Sequence, residues 1–145
     1  AMINFVMRYE DESLNPESLV YVSRISAMNI NYSAALIFTT GQMRTVTEGQ
    51  VYYQTSRWVN GFGTEFPNAN FFLNPDDLDG LYFDIQVNYS RDVSPLHAVI
   101  TNEQIRQVLV DSGVDRFKAG LRYTFDVVLR KSGYAYSTEI SAHKE

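Results

Sequence analysis

Apolar and polar residues alternate without error through 81–89. Leu81, Phe83, Ile85, Val87 and Tyr89 fall on one side, and Tyr82, Asp84, Gln86 and Asn88 on the other. A period of two marks a strand with one buried face. The stretch 121–130 repeats the pattern, with Leu121, Tyr123, Phe125, Val127 and Leu129 against Arg122, Thr124, Asp126 and Arg130; only Val128 breaks it. Lys131-Ser132-Gly133 offers a turn, after which Tyr134, Tyr136, Thr138 and Ile140 alternate with Ala135, Ser137, Glu139 and Ser141. This pair predicts a β-hairpin.

Shorter signals fill the rest. Ile3, Phe5, Met7 and Tyr9 define a first strand, followed by an acidic, polar surface loop around Pro16. The run 19–32 is rich in β-branched and aromatic residues, but its apolar parity shifts near Arg24-Ile25-Ser26. Such a shift predicts two strand pieces or a bulge. A short apolar run lies at 34–39. Stretches 43–47 and 51–55 read as hairpin arms about Gly49, and 56–70, with the only Trp and Pro67, as a long loop. Phe71-Phe72-Leu73 reads as a short buried strand, and 96–100 as a further one. Thr101 followed by Gln104 forms a capping-box pair ahead of Ile105, Val108 and Leu109, predicting a helix of two to three turns. A strand through Val108-Leu109-Val110 is the competing reading.

Many short strands without a βαβ rhythm imply an all-β domain, a sandwich or small barrel, spanning 1–145 as one unit. Composition agrees. Aromatics make up 14% of the 145 residues. Tyr and Phe favour pleated, half-buried surfaces. A net charge of −5 argues against a nucleic-acid partner, which needs clustered Lys and Arg. The absence of Cys removes disulfides, Cys-ligated zinc and a thiol nucleophile. No apolar run is long enough to span a bilayer. Ala1 ahead of Met2 reads as an addition, so an export signal, if the natural protein has one, lies outside this chain.

Candidate chemistry is sparse. His97 and His143 accompany no nucleophile-elbow motif, and both read as packed or solvated side chains. Asp77, Asp79 and Gly80 match part of a calcium loop, but Pro75 and Gln86 stand where carboxylates are needed, so the segment reads as a solvated turn. Tyr52, Tyr53 and Trp58 lie close in sequence. Either Trp58 closes one end of the core, or these aromatics stack on a sugar ring as a surface-glycan site. No phosphate loop, dinucleotide fingerprint or metal-ligand spacing is present, and no cofactor is expected.

The closing segment Gly120-Leu121-Arg122-Tyr123-Thr124-Phe125, with Val127, Leu129 and the Gly133 turn, resembles the end of the fimbrillin-like family of Bacteroidales, the major-fimbria and anchor-type subunits. Phe71-Phe72-Leu73-Asn74-Pro75 before the strand at 81–89 is similar to that family's apolar-Leu-x-Pro segment. Leu121 stands where the family usually has Lys, and Phe125 replaces its second Tyr. The chain has room for one of the two domains a typical subunit carries.

The resemblance implies a transthyretin-like (Greek-key) β-sandwich with at most one short helix. It implies a non-enzymatic protein exported to the outer membrane, cell surface or fimbrium, held to the membrane only through a lipid anchor outside this chain. The implied partners are other fimbrial subunits or copies of itself, joined by donor-strand exchange. Some relatives are opened by a trypsin-like cut after an Arg near the first strand, and Arg8 is the residue in that place. A carbohydrate-binding β-sandwich module is the alternative.

Overall fold

The computed structural model describes residues 1–30, 44–47, 49–73, 78–88, 96–114, 116–118, 120–133 and 135–144. The apolar run at 34–39, Asp77 and Tyr89 lie outside them. Among the described residues ten strands and one helix follow in the order β1 (Met2–Glu10), β2 (Val20–Met28), β3 (Arg44–Thr47), β4 (Gln50–Val59), β5 (Thr64–Glu65), β6 (Phe71–Phe72), β7 (Tyr82–Asn88), β8 (Leu96–Ile100), α1 (Asn102–Asp111), β9 (Arg122–Ser132) and β10 (Ala135–Lys144). They form the expected all-β sandwich. One sheet runs β10-β9-β1-β5, with β6 also on β1; the other runs β3-β4-β2-β7-β8.

The closing hairpin forms as its alternation predicts. Tyr123, Phe125, Val127 and Leu129 are buried, β10 pairs antiparallel to β9, and Gly133 turns the chain at φ 63°. A left-handed backbone at that position suits a residue without Cβ. Leu121 stops short of the strand and is only half-buried.

Periodicity did not reveal what β9 pairs with on its other side. Strand β1 lies parallel to β9 over nine residues, from Met2↔Arg122 to Glu10↔Arg130. Its inward residues Ile3, Phe5, Met7 and Tyr9 are all buried. The far edge of β1 is covered in pieces: β6 at Met2 and Ile3, then β5 at Val6 and Met7. Phe5 stands edge-on to Phe125, Phe71 and, across the sandwich, Phe83, at ring distances of 5.8, 5.9 and 5.1 Å. This geometry suits the ring quadrupoles and ties three strands of one sheet to the other sheet.

The parity shift in the second strand is a bulge. Val20 and Val22 face inward, then Ile25 and Ala27 do, and the register slips between Val22 and Arg24 against both neighbours. Ser23 is the extra residue relative to β7, and its hydroxyl lies 3.1 Å from the Asn88 side-chain oxygen. Asn88 keeps the outer parity expected of it, opposite Tyr21, but is buried there.

Helix α1 carries the expected capping box: Thr101 Oγ1 accepts from the Gln104 backbone and Gln104 accepts from the Thr101 backbone. Gln104 also donates to the Thr138 carbonyl at 2.8 Å, and Thr138 donates to the Val99 carbonyl at 2.9 Å. One edge of the sandwich is thereby closed where β8 and β10 meet.

The Phe5 cluster predicts that Phe5→Ala lowers unfolding free energy by about 3–5 kcal/mol in urea denaturation. Val99→Ala, on an exposed face, should change it by less than about 0.5 kcal/mol.

Candidate interaction surface

The segment predicted as one long loop, 56–70, is largely ordered ladder and tight turn. Residues 56–59 extend β4, and Thr64 and Glu65 pair with β1. The alternation was hidden because the inward-parity positions Thr55 and Arg57 are polar. Between Arg24↔Gln54 and Val22↔Arg57, β4 places Thr55 and Ser56 opposite Ser23 alone. Two residues against one make a bulge in β4 as well. Thr55 Oγ1 donates to the Val22 carbonyl there at 2.5 Å.

This separates the three aromatics. Tyr53 is buried, edge-on to Phe71 at 5.0 Å, with its hydroxyl donating to the Asn70 carbonyl. Tyr52 lies on the opposite, outer face under the Arg24 guanidinium, 4.2 Å from the ring centre. Trp58 is also outward and 38% exposed, so it does not close the core; it packs on Tyr21 at 5.2 Å. Six residues of extended chain, roughly 20 Å, separate Tyr52 from Trp58. The pair brought together is Trp58 and Tyr21, and Tyr21 was missed because its contact crosses from β2 to β4.

At the Trp58 end two loops meet. Gly61 N donates to the Pro16 carbonyl at 2.8 Å. A Cβ on Gly61 would sit 2.7 Å from Pro16 Cα. Only a residue without Cβ allows that approach. The first loop is capped at every second residue. Asp11 Oδ1 accepts from Ser13 N (3.0 Å), Ser13 Oγ from Asn15 N (3.3 Å) and Asn15 Oδ1 from Glu17 N (3.0 Å). Short polar side chains bonded to the backbone two residues on hold such a loop in turn geometry. The fixed loop holds Leu14 in the left-handed region (φ 56°), 72% exposed; the second loop presents Phe62, 70% exposed. Leu19 is also exposed, beside β2 where Val20 pairs with Val59. Leu14, Leu19, Phe62 and Trp58 thus gather large apolar side chains at one end of the sandwich, the kind of patch that marks a contact surface.

Arg8 borders the same end. With Tyr9, Glu10, Leu14, Asn15, Pro16, Gly61 and Val128 it lines a cleft of about 250 Å³. Its side chain is exposed, but its backbone sits in the β1–β9 ladder, and Tyr9 N donates to the Asn60 carbonyl at 2.8 Å.

The histidines sit apart on outer faces of different sheets: His97 Nδ1 lies 2.8 Å from Asp84, and His143 Nε2 lies 2.6 Å from Asp126. Asp79 pairs with Arg106 at 2.9 Å. Among the described residues no group of three His, Asp or Glu could hold a metal ion.

No family model matches this chain, and no curated protein matches it by sequence. Among solved structures it is similar to a "putative cell adhesion protein" from Bacteroides eggerthii, with 14% identity, a TM-score of 0.53 and 99% of this chain covered. A second, from Bacteroides uniformis under the same description, has 15% identity, a TM-score of 0.43 and 99% of this chain covered. The chain spans about half the length of each, 54% and 49%. The first likeness is one of fold.

The Ser13 hydroxyl first, and that of Ser18 next, hold the Asp11 carboxyl below its ordinary pKa, so the ionised form favours the folded loop. The cap is complete above the ordinary carboxylate range and is lost as pH falls through the depressed value. The Ser13 amide resonance should therefore move at a lower pH than that of an unstructured Asp peptide. Trypsin at low dose should leave the Arg8–Tyr9 bond of the folded chain intact, with cleavage there rising only in step with denaturant unfolding.

Proposed function

We propose that this chain is a non-enzymatic, exported surface protein of the fimbrial-subunit or cell-adhesion type, acting through protein–protein contacts. The observation that carries the reading is the fixed apolar end, where Leu14 and Phe62 are held out to solvent by loops that cap and pin each other. A monomer gains nothing in folding from two such exposed side chains, whereas a partner that covers them gains contact area on a preorganised surface. The likeness to a sandwich described as an adhesion protein supports it.

The mode of assembly we propose is donor-strand exchange through the seat of β1. That seat offers the β9 backbone on one side, the β5 and β6 pieces on the other, and inward slots filled by Ile3, Phe5, Met7 and Tyr9. A strand with the same alternation from a neighbouring subunit satisfies the same ladder and slots. Maturation after Arg8 would release most of β1. Because Arg8 lies within a paired strand, the cut acts on a chain whose β1 has opened.

A carbohydrate-binding role is a second reading, favoured by the exposed Trp58–Tyr21 pair. It predicts glycan-array binding that Trp58→Ala abolishes.

For strand exchange, the full chain should be monomeric by sedimentation, and a variant lacking residues 1–8 should form multimers that an added peptide of residues 2–10 suppresses. A truncated chain that stays monomeric and folded at high concentration counts against exchange.

A further inference from the structure

Beside the β4 bulge lies a second cleft, of about 270 Å³, open to solvent. Gln54, Thr55, Ser56 and Arg57 of the bulged strand line one side, and Phe66, Pro67, Asn68 and Ala69 the other. Phe66 and Ala69 are buried and anchor the second wall to the core. Phe66 N donates to the Phe5 carbonyl and Ala69 N to that of Phe66, so this wall is a hydrogen-bonded turn.

The arginines of the sandwich differ in what holds them. Arg130 is held by Glu10 and Glu139, Arg106 by Asp79 and Asn102, and Arg24 lies on Tyr52. Arg57, like Arg8 and Arg122, has no ion-pair or hydrogen-bonding partner among the described residues, but it alone of these three lines a cleft with further unpartnered polar side chains, those of Gln54, Ser56 and Asn68. Glu65, the acid nearest in sequence, is not among the lining residues. Arg57 stands at an inward-parity position opposite Val22, yet it is exposed and lines the cleft.

We infer that this cleft is a binding site for a carboxylate-bearing sugar of the hexuronic-acid class. A guanidinium fork matches a carboxylate in two parallel hydrogen bonds. Two amides and a hydroxyl, each able to donate and accept, match ring hydroxyls, and the Pro67 and Ala69 edges offer a small apolar floor. The volume suits one ring, not an extended peptide. A simple carboxylate fits the fork but leaves the amides unmatched, and a neutral hexose does the reverse. The site is distinct from the Leu14–Phe62 end, and the inference does not depend on the adhesion reading.

The test uses the full chain, ¹⁵N-labelled, titrated with glucuronate, galacturonate, glucose, galactose and acetate. Uronates should shift the amide resonances of 54–57 and 66–69 with millimolar affinity, and the neutral hexoses and acetate should bind about tenfold or more weakly, the loss expected for one charge-assisted contact. Arg57→Gln should remove the preference for uronates over hexoses, Arg57→Lys should restore part of it, and Asn68→Ala should weaken uronates without affecting acetate. An unchanged circular dichroism spectrum and melting temperature show that each variant is folded. No shifts at 54–57 and 66–69 with uronates at tens of millimolar, equal response to acetate, or an undiminished uronate preference in folded Arg57→Gln would overturn the assignment.

Discussion

The structure depends on how β1 is seated. Its nine-residue parallel ladder joins the start of the chain to residues 122–130, and Asn4 accepts a hydrogen bond from Thr124 at 2.8 Å across 120 positions of sequence. Parallel neighbours cannot form as a local hairpin, so this pairing requires the intervening strands to bring both ends together. Loop closure over such a separation is entropically costly before any contact forms, and the Phe5 cluster is what offsets it. Phe5 touches β9 and β6 in its own sheet and β7 in the other. One side chain thus registers the chain's first strand against both layers.

That placement bears on the proposed strand exchange. Strand β1 is central in its sheet, so its departure would expose ladder and slots together. The far edge of β1 is held by two-residue strands and by single backbone hydrogen bonds to Asn60, Phe66 and Leu73, not by one continuous ladder. The β9 side is the stronger boundary, supported in turn by β10 and by the Glu10–Arg130–Glu139 arrangement on the outer face, in which Glu10 and then Glu139 raise the Arg130 pKa. The exchange we propose is therefore a replacement of β1 on a persistent β9–β10 hairpin rather than a disassembly of the sheet.

What the sequence made legible follows from which residues faced inward. Where inward positions are apolar, as at Phe83, Ile85, Val87 and Tyr123, Phe125, Val127, Leu129, strand and face are read directly. The β2 bulge was visible because Val20, Val22 and Ile25, Ala27 change parity in apolar letters. The β4 bulge was not, because polar Thr55 and Arg57 occupy the corresponding positions, and the only Trp then passed for a loop residue. Pairing partners were legible only where a short turn joins two strands, as in the β3–β4 and β9–β10 hairpins; a period of two gives faces but not distant neighbours, so neither the parallel β1–β9 ladder nor the Trp58–Tyr21 contact could be inferred. The apolar end was hidden for a related reason. Leu14 and Phe62 are single apolar letters in polar loops, and only the Gly61–Pro16 approach brings those loops together.

The same stretch that concealed β4 serves both the core and the surface. Tyr53 before the bulge and Val59 after it are buried, while between them Arg57 lines the polar cleft and Trp58 lies on Tyr21. Arg57 keeps the inward parity of its partner Val22 and still reaches water, on a stretch of the bulged strand beyond the residues that β3 pairs. The local disruption at the bulge is held by the Thr55 and Ser23 hydroxyls, which accompany the freed backbone of β2 and β7. A charged side chain is thereby held at an inward-parity position of the sheet, beside the wall of 66–69.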